Sequence, residues 1–114
     1  MLIHKGLYGG GRILSRASVE LMTTDHLTAE QRVGNEIFFG DHGGWGFGVA
    51  VTGKRTDLAS PGSYGWTGGL GTTWANDPAE NMVGILLSQR AMTSPIHPPL
   101  FRDFWTTAYQ AIED

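Results

Sequence analysis

Between residues 63 and 88 the sequence runs as three short apolar stretches whose connections are too short to hold a crossover helix. Parallel strands need a connection of about a dozen residues or more, so neighbours joined this tightly must run antiparallel. The stretches are 63–66, 72–76 and 82–88, and the turn formers Asn76-Asp77-Pro78-Ala79-Glu80-Asn81 separate the last two. Upstream, aromatic and β-branched residues from 36 to 52 are broken by Gly40, Gly43, Gly44, Gly46 and Gly48. That pattern predicts an extended segment, a turn at "GDHGG" and a strand "WGFGVAV", followed by a polar loop over 53–61.

Helical signals flank this region. "GLYGGG" at residues 6–11 is a turn, and Ser15 stands where an N-cap belongs, ahead of a short helix through Ala17, Val19, Leu21 and Met22 that ends near Thr24-Asp25. After Pro95, Pro98 and Pro99, the residues Leu100, Phe101, Phe104, Trp105, Ala108, Tyr109 and Ile112 recur at helical spacing, which predicts an amphipathic C-terminal helix. Its aromatic face must be buried, and the sheet is the nearest surface. The expected class is therefore α+β, an antiparallel β-sheet meander with the C-terminal helix packed on it. At 114 residues, 40% of them AVILMFWYC, the chain supports one modest core, so residues 1–114 are expected to form a single unit. Met1-Leu2-Ile3 running straight into Lys5-Gly6 reads as the last turn of a helix and a capping glycine with no helix in front, as expected of a chain cut from a larger fold.

Composition removes several function classes. Eleven acidic against eight basic residues give a net charge of −3 with no basic cluster, which argues against nucleic acid as a partner. With no cysteine there is no disulfide, thiolate nucleophile or Cys-ligated zinc. No apolar run approaches membrane-spanning length. His4, His26, His42 and His97 lack ligand spacing, so no metal or other cofactor is expected. Asp57, Asp77 and Glu80 fall in expected turns, where acids are ordinarily solvated.

"GGGRILSRASVELMTTDHLT", then "GWGFGVAV", then "GSYGWTGGLGTTWANDPAENMVGILLSQR" resemble the C-terminal part of the serine β-lactamase-like hydrolases. That superfamily includes class C β-lactamases, D-alanyl-D-alanine carboxypeptidases (penicillin-binding proteins) and related carboxylesterases. The resemblance covers nearly the whole chain and implies a partial β-lactamase/transpeptidase-like fold. It also implies three converging motifs: Ser-x-x-Lys with the nucleophile, Tyr-x-Asn with a second base, and Lys-Thr-Gly or a variant on a substrate-lining strand.

Two of these motifs are missing. Leu2 and Val51 stand three positions before the only lysines, Lys5 and Lys54, and Gly10, Trp66 and Ala111 stand two positions after Tyr8, Tyr64 and Tyr109. Pro61 also breaks a Gly-x-Ser-x-Gly elbow around Ser63. The third motif fits in two registers. Read literally, Trp66-Thr67-Gly68 is Lys-Thr-Gly with tryptophan for lysine; matching the following glycines instead places Ser63-Tyr64-Gly65 there, with Trp66 just beyond, and this second register is preferred. The resemblance thus implies a substrate-binding role for Ser63, Tyr64, Gly65, Trp66, Thr67 and Gly68, and no catalytic residue within these 114.

In either register the usual cation is missing, which tilts the implied substrate toward an ester. The expectation is the C-terminal portion of a serine hydrolase that forms and hydrolyses an acyl-enzyme from an ester or amide, inactive alone, with the N-terminal part of the same fold as its partner. The alternative is a non-catalytic binding or assembly module. Bare sheet or helix surface leaves homo-oligomerisation open to either. A separate triad of Ser63, His42 and Asp41 is disfavoured, because nothing in the spacing brings His42 to Ser63.

Overall fold

The computed structural model describes residues 1–113, and the strands fall where alternating apolar residues and turn glycines place them. A two-stranded ladder, β1 (Leu7–Tyr8) and β2 (Gly11–Arg12), flanks a two-residue turn at Gly9 and Gly10, both at positive φ (58° and 81°). Two left-handed residues between paired strands are the tight hairpin geometry that glycine adopts without penalty. Before it, residues 1–6 make one helical turn: the Lys5 N–H donates to Leu2 O at 2.8 Å and the Gly6 N–H to Met1 O at 3.1 Å. This is the paired bonding of a helix C-terminus, with Lys5 as well as Gly6 left-handed (φ 48° and 95°). Gly6 has a second reason to be glycine, since a Cβ there would overlap the Leu14 carbonyl oxygen.

Helix α1 (Arg16–Met22) begins as expected, with the Ser15 hydroxyl accepting from the Ser18 N–H at 2.9 Å, and ends slightly early, at Met22. Two further helical turns follow, and the second departs from the extended reading. Helix α2 (Ala29–Arg32) is closed by a capping box in which Thr28 and Gln31 satisfy each other's backbone N–H groups. Helix α3 (Glu36–Phe39) occupies the first part of the region expected to be extended, and the left-handed Gly40 ends it. Glu36 in its first turn suits the positive end of a helix, which outweighs the β preference of the two residues Ile37-Phe38. The turn at "GDHGG" is present, over residues 40–42.

The main sheet has five antiparallel strands in sequential order: β3 (Gly43–Trp45), β4 (Ala50–Thr52), β5 (Tyr64–Gly68), β6 (Thr72–Asp77) and β7 (Met82–Leu86). "WGFGVAV" is not one strand but the corner of the β3–β4 hairpin. The Gly46 N–H closes it on Val49 O at 2.8 Å, and Gly48 turns it at φ 86°, a conformation that costs a side-chain-bearing residue. One side of the sheet buries Val49, Val51 and Tyr64 against Leu2 and Trp74. On the other, helix α4 (Pro99–Gln110) lays Trp105 over Gly84, where any side chain would overlap the indole, and Trp105 Nε1 donates to Thr73 Oγ1 at 3.1 Å. The architecture is α+β, with an antiparallel sheet and a C-terminal helix on one face of it.

Asp77 overturns the solvated-acid reading: it is 0% exposed. Its carboxylate ties three distant pieces together, accepting from the Ser60 N–H at 2.9 Å, the Tyr109 hydroxyl at 2.8 Å and, in its own turn, the N–H groups of Ala79 and Glu80 at 3.1 and 3.4 Å. A buried carboxylate is tolerated when its oxygens are satisfied in this way.

Candidate functional site

Strand β5 lies at the centre of the sheet, yet only part of it is enclosed. Strand β4 pairs with it at Tyr64 and Gly65, whereas β6 pairs along its whole length from Tyr64 to Gly68. Over Trp66, Thr67 and Gly68 the side of β5 that faces β4 therefore has no strand opposite it. Alternate backbone N–H and C=O groups point to that side, so the strand offers a free donor-acceptor edge beside its most exposed side chain.

The six residues singled out in the sequence fall into two groups. Ser63 and Tyr64 are 3% and 4% exposed. The Ser63 hydroxyl donates to Thr52 Oγ1 at 2.8 Å, and Tyr64 is part of the core. Burial raises the Tyr64 phenol pKa, partly offset by the Asn76 side chain. Gly65 is the point of closest approach to β6, where a Cβ would overlap the Trp74 carbonyl oxygen. Trp66 is 40% exposed, and its ring meets Trp45 edge to face at 4.9 Å. Thr67 shares a 2.8 Å hydroxyl bond with Thr73, and Gly68 accepts the Gly71 N–H at 3.0 Å.

Neighbouring segments fix this strand. The Met92 N–H donates to Gly69 O at 2.8 Å and the Ser88 hydroxyl to Gly71 O at 2.7 Å, so the segment after β7 straps the β5–β6 turn. At the other end, Arg55 grips the incoming loop through Leu58 O (2.8 Å) and Ser60 Oγ (2.9 Å), and Asp77 holds the Ser60 N–H. An open groove of about 1290 Å³ is lined by Phe39, Trp66, Thr67, Thr73, Met92 and Trp105 among others. Trp45 and Phe39 were not singled out in the sequence; the signal available was the aromatic residues set among glycines in "FFGDHGGWGFG".

The disfavoured triad does not assemble. Ser63 is bonded to Thr52, while His42 and Asp41 lie exposed in the turn before the edge strand β3. Among the described residues no group of three or more His, Cys, Asp or Glu stands close enough to hold a metal ion, and no helix is long and apolar enough to cross a membrane.

The electrostatics centre on Asp77. Burial would raise its pKa, but the Ser60 N–H, the Tyr109 hydroxyl and its remaining donors outweigh that and hold the carboxyl below its ordinary value. Tyr109 moves the other way, its phenol pushed up by burial, by its bond to Asp77 and by the Asp77 charge. A phenol with a raised folded-state pKa contributes stability that is complete below the unfolded value of about 10 and is lost as pH rises through the folded value. The urea midpoint should therefore fall steeply above about pH 10, and less steeply in Tyr109→Phe; parallel curves for the two proteins would refute the assignment.

The Beta-lactamase family model matches residues 4–102. Two Mycobacterium tuberculosis proteins, "Protein Rv1367c" and "Uncharacterized protein MT1414", are each 36% identical over 99 residues, covering 78% of this chain and 24% of the relative. A solved structure of "EstCE1, a hydrolase with promiscuous acyltransferase activity" superposes with a TM-score of 0.62 at 26% identity, covering 80% of this chain and 23% of that one. The chain thus spans about a quarter of the length of the relatives it matches. The free-edged strand with its tryptophan, the helix-backed meander and the match along residues 4–102 agree: the chain belongs to the beta-lactamase family.

Proposed function

We propose that this chain is the C-terminal, substrate-lining portion of a serine hydrolase, and that the nucleophile reaches the site from a segment outside these 114 residues. One observation carries the proposal: the chain belongs to the family, yet nowhere contains Ser-x-x-Lys or Tyr-x-Asn. A serine hydroxyl attacks an acyl carbonyl only when a positioned base takes its proton, and the released alcohol or amine needs that proton returned. What this chain offers is the rest of the site, a strand edge whose free N–H groups suit a carbonyl oxygen as it gains negative charge. One such donor contributes about 3 kcal/mol to the transition state.

Accessibility supports the register Trp66-Thr67-Gly68 for the strand motif. Those residues carry the free edge and the exposed side chain, while Ser63 and Tyr64 are enclosed. With tryptophan where the resemblance would put lysine, no cation stands there to pair with a substrate carboxylate, which favours neutral esters over β-lactams and peptides. The edge strand β7 supports the partnership, because Val83 and Ile85 are exposed along it and Leu87 just past its end, a face suited to the preceding part of the same fold.

The test is labelling with a fluorescent fluorophosphonate of the chain alone, and of the chain mixed with a separately made N-terminal portion bearing Ser-x-x-Lys. We expect no labelling of the chain alone and labelling of the N-terminal partner in the mixture. Labelling of the 114-residue chain itself would overturn the proposal, and labelling of neither would favour the non-catalytic module.

A further inference from the structure

We propose that the edge strand β7 pairs with β7 of a second copy of this chain, antiparallel and two-fold symmetric about Ile85, so that the chain alone forms a closed dimer. The dimer does not rest on the hydrolase reading; an N-terminal portion, where present, competes for the same edge. An edge strand presents a row of unpaired N–H and C=O groups, and a two-fold contact needs a surface that complements itself. The two edges of the sheet differ here. At β3 the edge is covered, because the Trp45 N–H donates to Asp25 Oδ1 at 3.1 Å and Trp45 O accepts the His26 N–H at 2.9 Å. Strand β7 has β6 on one side and no strand on the other. Val83 and Ile85 are 51% and 59% exposed, on the sheet face that carries Trp74 and opposite the face where Trp105 covers Gly84.

The sequence around this strand is self-complementary. With Ile85 on the two-fold axis, Ile85 faces its own copy, Val83 faces the partner's Leu87 and Asn81 faces the partner's Gln89. At each end Glu80 faces the partner's Arg90, since the two stand five positions to either side of Ile85. Apolar and opposite-charge pairs directly across a ladder are the ones that stabilise it. The charges also fix the register. Centring the pairing on Gly84 would set Glu80 against Ser88 and Arg90 against Pro78, and both ion pairs would be lost. Glu80 and Arg90 are exposed, and neither takes part in an ion pair among the described residues. The Glu80 carboxylate accepts only a long bond, 3.5 Å from Ser60 Oγ. The assembly is a continuous antiparallel sheet of five strands from each copy, with both α4 helices on the same face.

Sedimentation equilibrium tests this directly. At about 100 µM, where a micromolar interface is saturated, the 114-residue chain should show twice its 12.4 kDa mass. Arg90→Glu sets two glutamates face to face at both ends, and Glu80→Arg sets two arginines there. Each alone should weaken the dimer by about tenfold, as two cross-strand pairs turn from attraction to repulsion. An equimolar mixture of the two variants should recover the wild-type affinity, because each end of the mixed dimer again joins opposite charges. Ile85→Lys, which brings two cations together on the axis, should leave the circular dichroism spectrum unchanged and the chain monomeric.

A wild-type chain that stays monomeric at that concentration, or one that assembles without limit beyond the dimer, would overturn the proposal. So would charge reversals without effect, or a mixture of the two variants that binds no tighter than either does alone.

Discussion

Asp77→Ala is expected to lower the stability of this chain by about 3 kcal/mol, a large share of the roughly 5–15 kcal/mol that holds a domain together. The carboxylate is fully enclosed and accepts from Ser60, Ala79, Glu80 and Tyr109, so alanine leaves the buried Ser60 N–H without its acceptor and takes the partner from the half-buried Tyr109 hydroxyl. Each buried donor left unmade costs about 1–3 kcal/mol, which exceeds what the carboxylate's own desolvation returns. Asp77→Asn keeps the shape but replaces one acceptor oxygen with a donor amide, so it should recover only part of the loss.

The acid side supplies an independent check. A carboxyl whose folded pKa is depressed contributes stability that is complete above the unfolded value of about 3.9 and is lost as pH falls through the folded value. The gap between wild type and Asp77→Asn in urea unfolding should therefore hold near neutrality and narrow below about pH 4. A gap that stays constant into strong acid would mean that Asp77 acts through shape alone.

Gly65→Ala is the second large effect, expected to cost about 3 kcal/mol or more and to pull β5 away from β6. A Cβ at this position overlaps the backbone oxygen of Trp74, and a backbone carbonyl bonded into a ladder has nowhere to retreat. Gly69, four residues on, is the internal control: no heavy atom lies within 4 Å of its would-be Cβ, and it is absent from the positive-φ glycines. Gly69→Ala should be neutral or slightly stabilising, because it removes freedom from the unfolded chain at no cost to the fold. Equal melting temperatures for the two variants would show that the close approach of β5 to β6 relaxes easily.

Much of this protein was legible without coordinates because its signals are local. The antiparallel order of β5, β6 and β7 follows from connections too short for any other, and α4 from its apolar period after a run of prolines. The missing Ser-x-x-Lys is likewise a property of the string alone, since no arrangement in space creates a motif that the chain lacks.

What escaped was decided between segments. The split of "WGFGVAV" into a hairpin depends on which side of each glycine meets a neighbour: a Cβ at Gly44 would overlap the Asp25 carboxylate, and one at Gly46 the Met22 carbonyl. The turn into α3 is a matter of two or three residues, where intrinsic preference is too weak to decide. Asp77 reads as an ordinary turn acid until Tyr109, 32 residues later, and Ser60, 17 residues earlier, converge on it.

The ring contacts of Phe39 with Trp45 and of Trp45 with Trp66 exist only once α3, β3 and β5 are packed. The sequence by itself determined the class of fold and the absence of Ser-x-x-Lys and Tyr-x-Asn, because each rests on neighbours along the chain. Which side chains of β5 are enclosed, which edge of it is free and what braces Trp66 were decided by tertiary structure, because burial and contact are set by residues far apart in sequence.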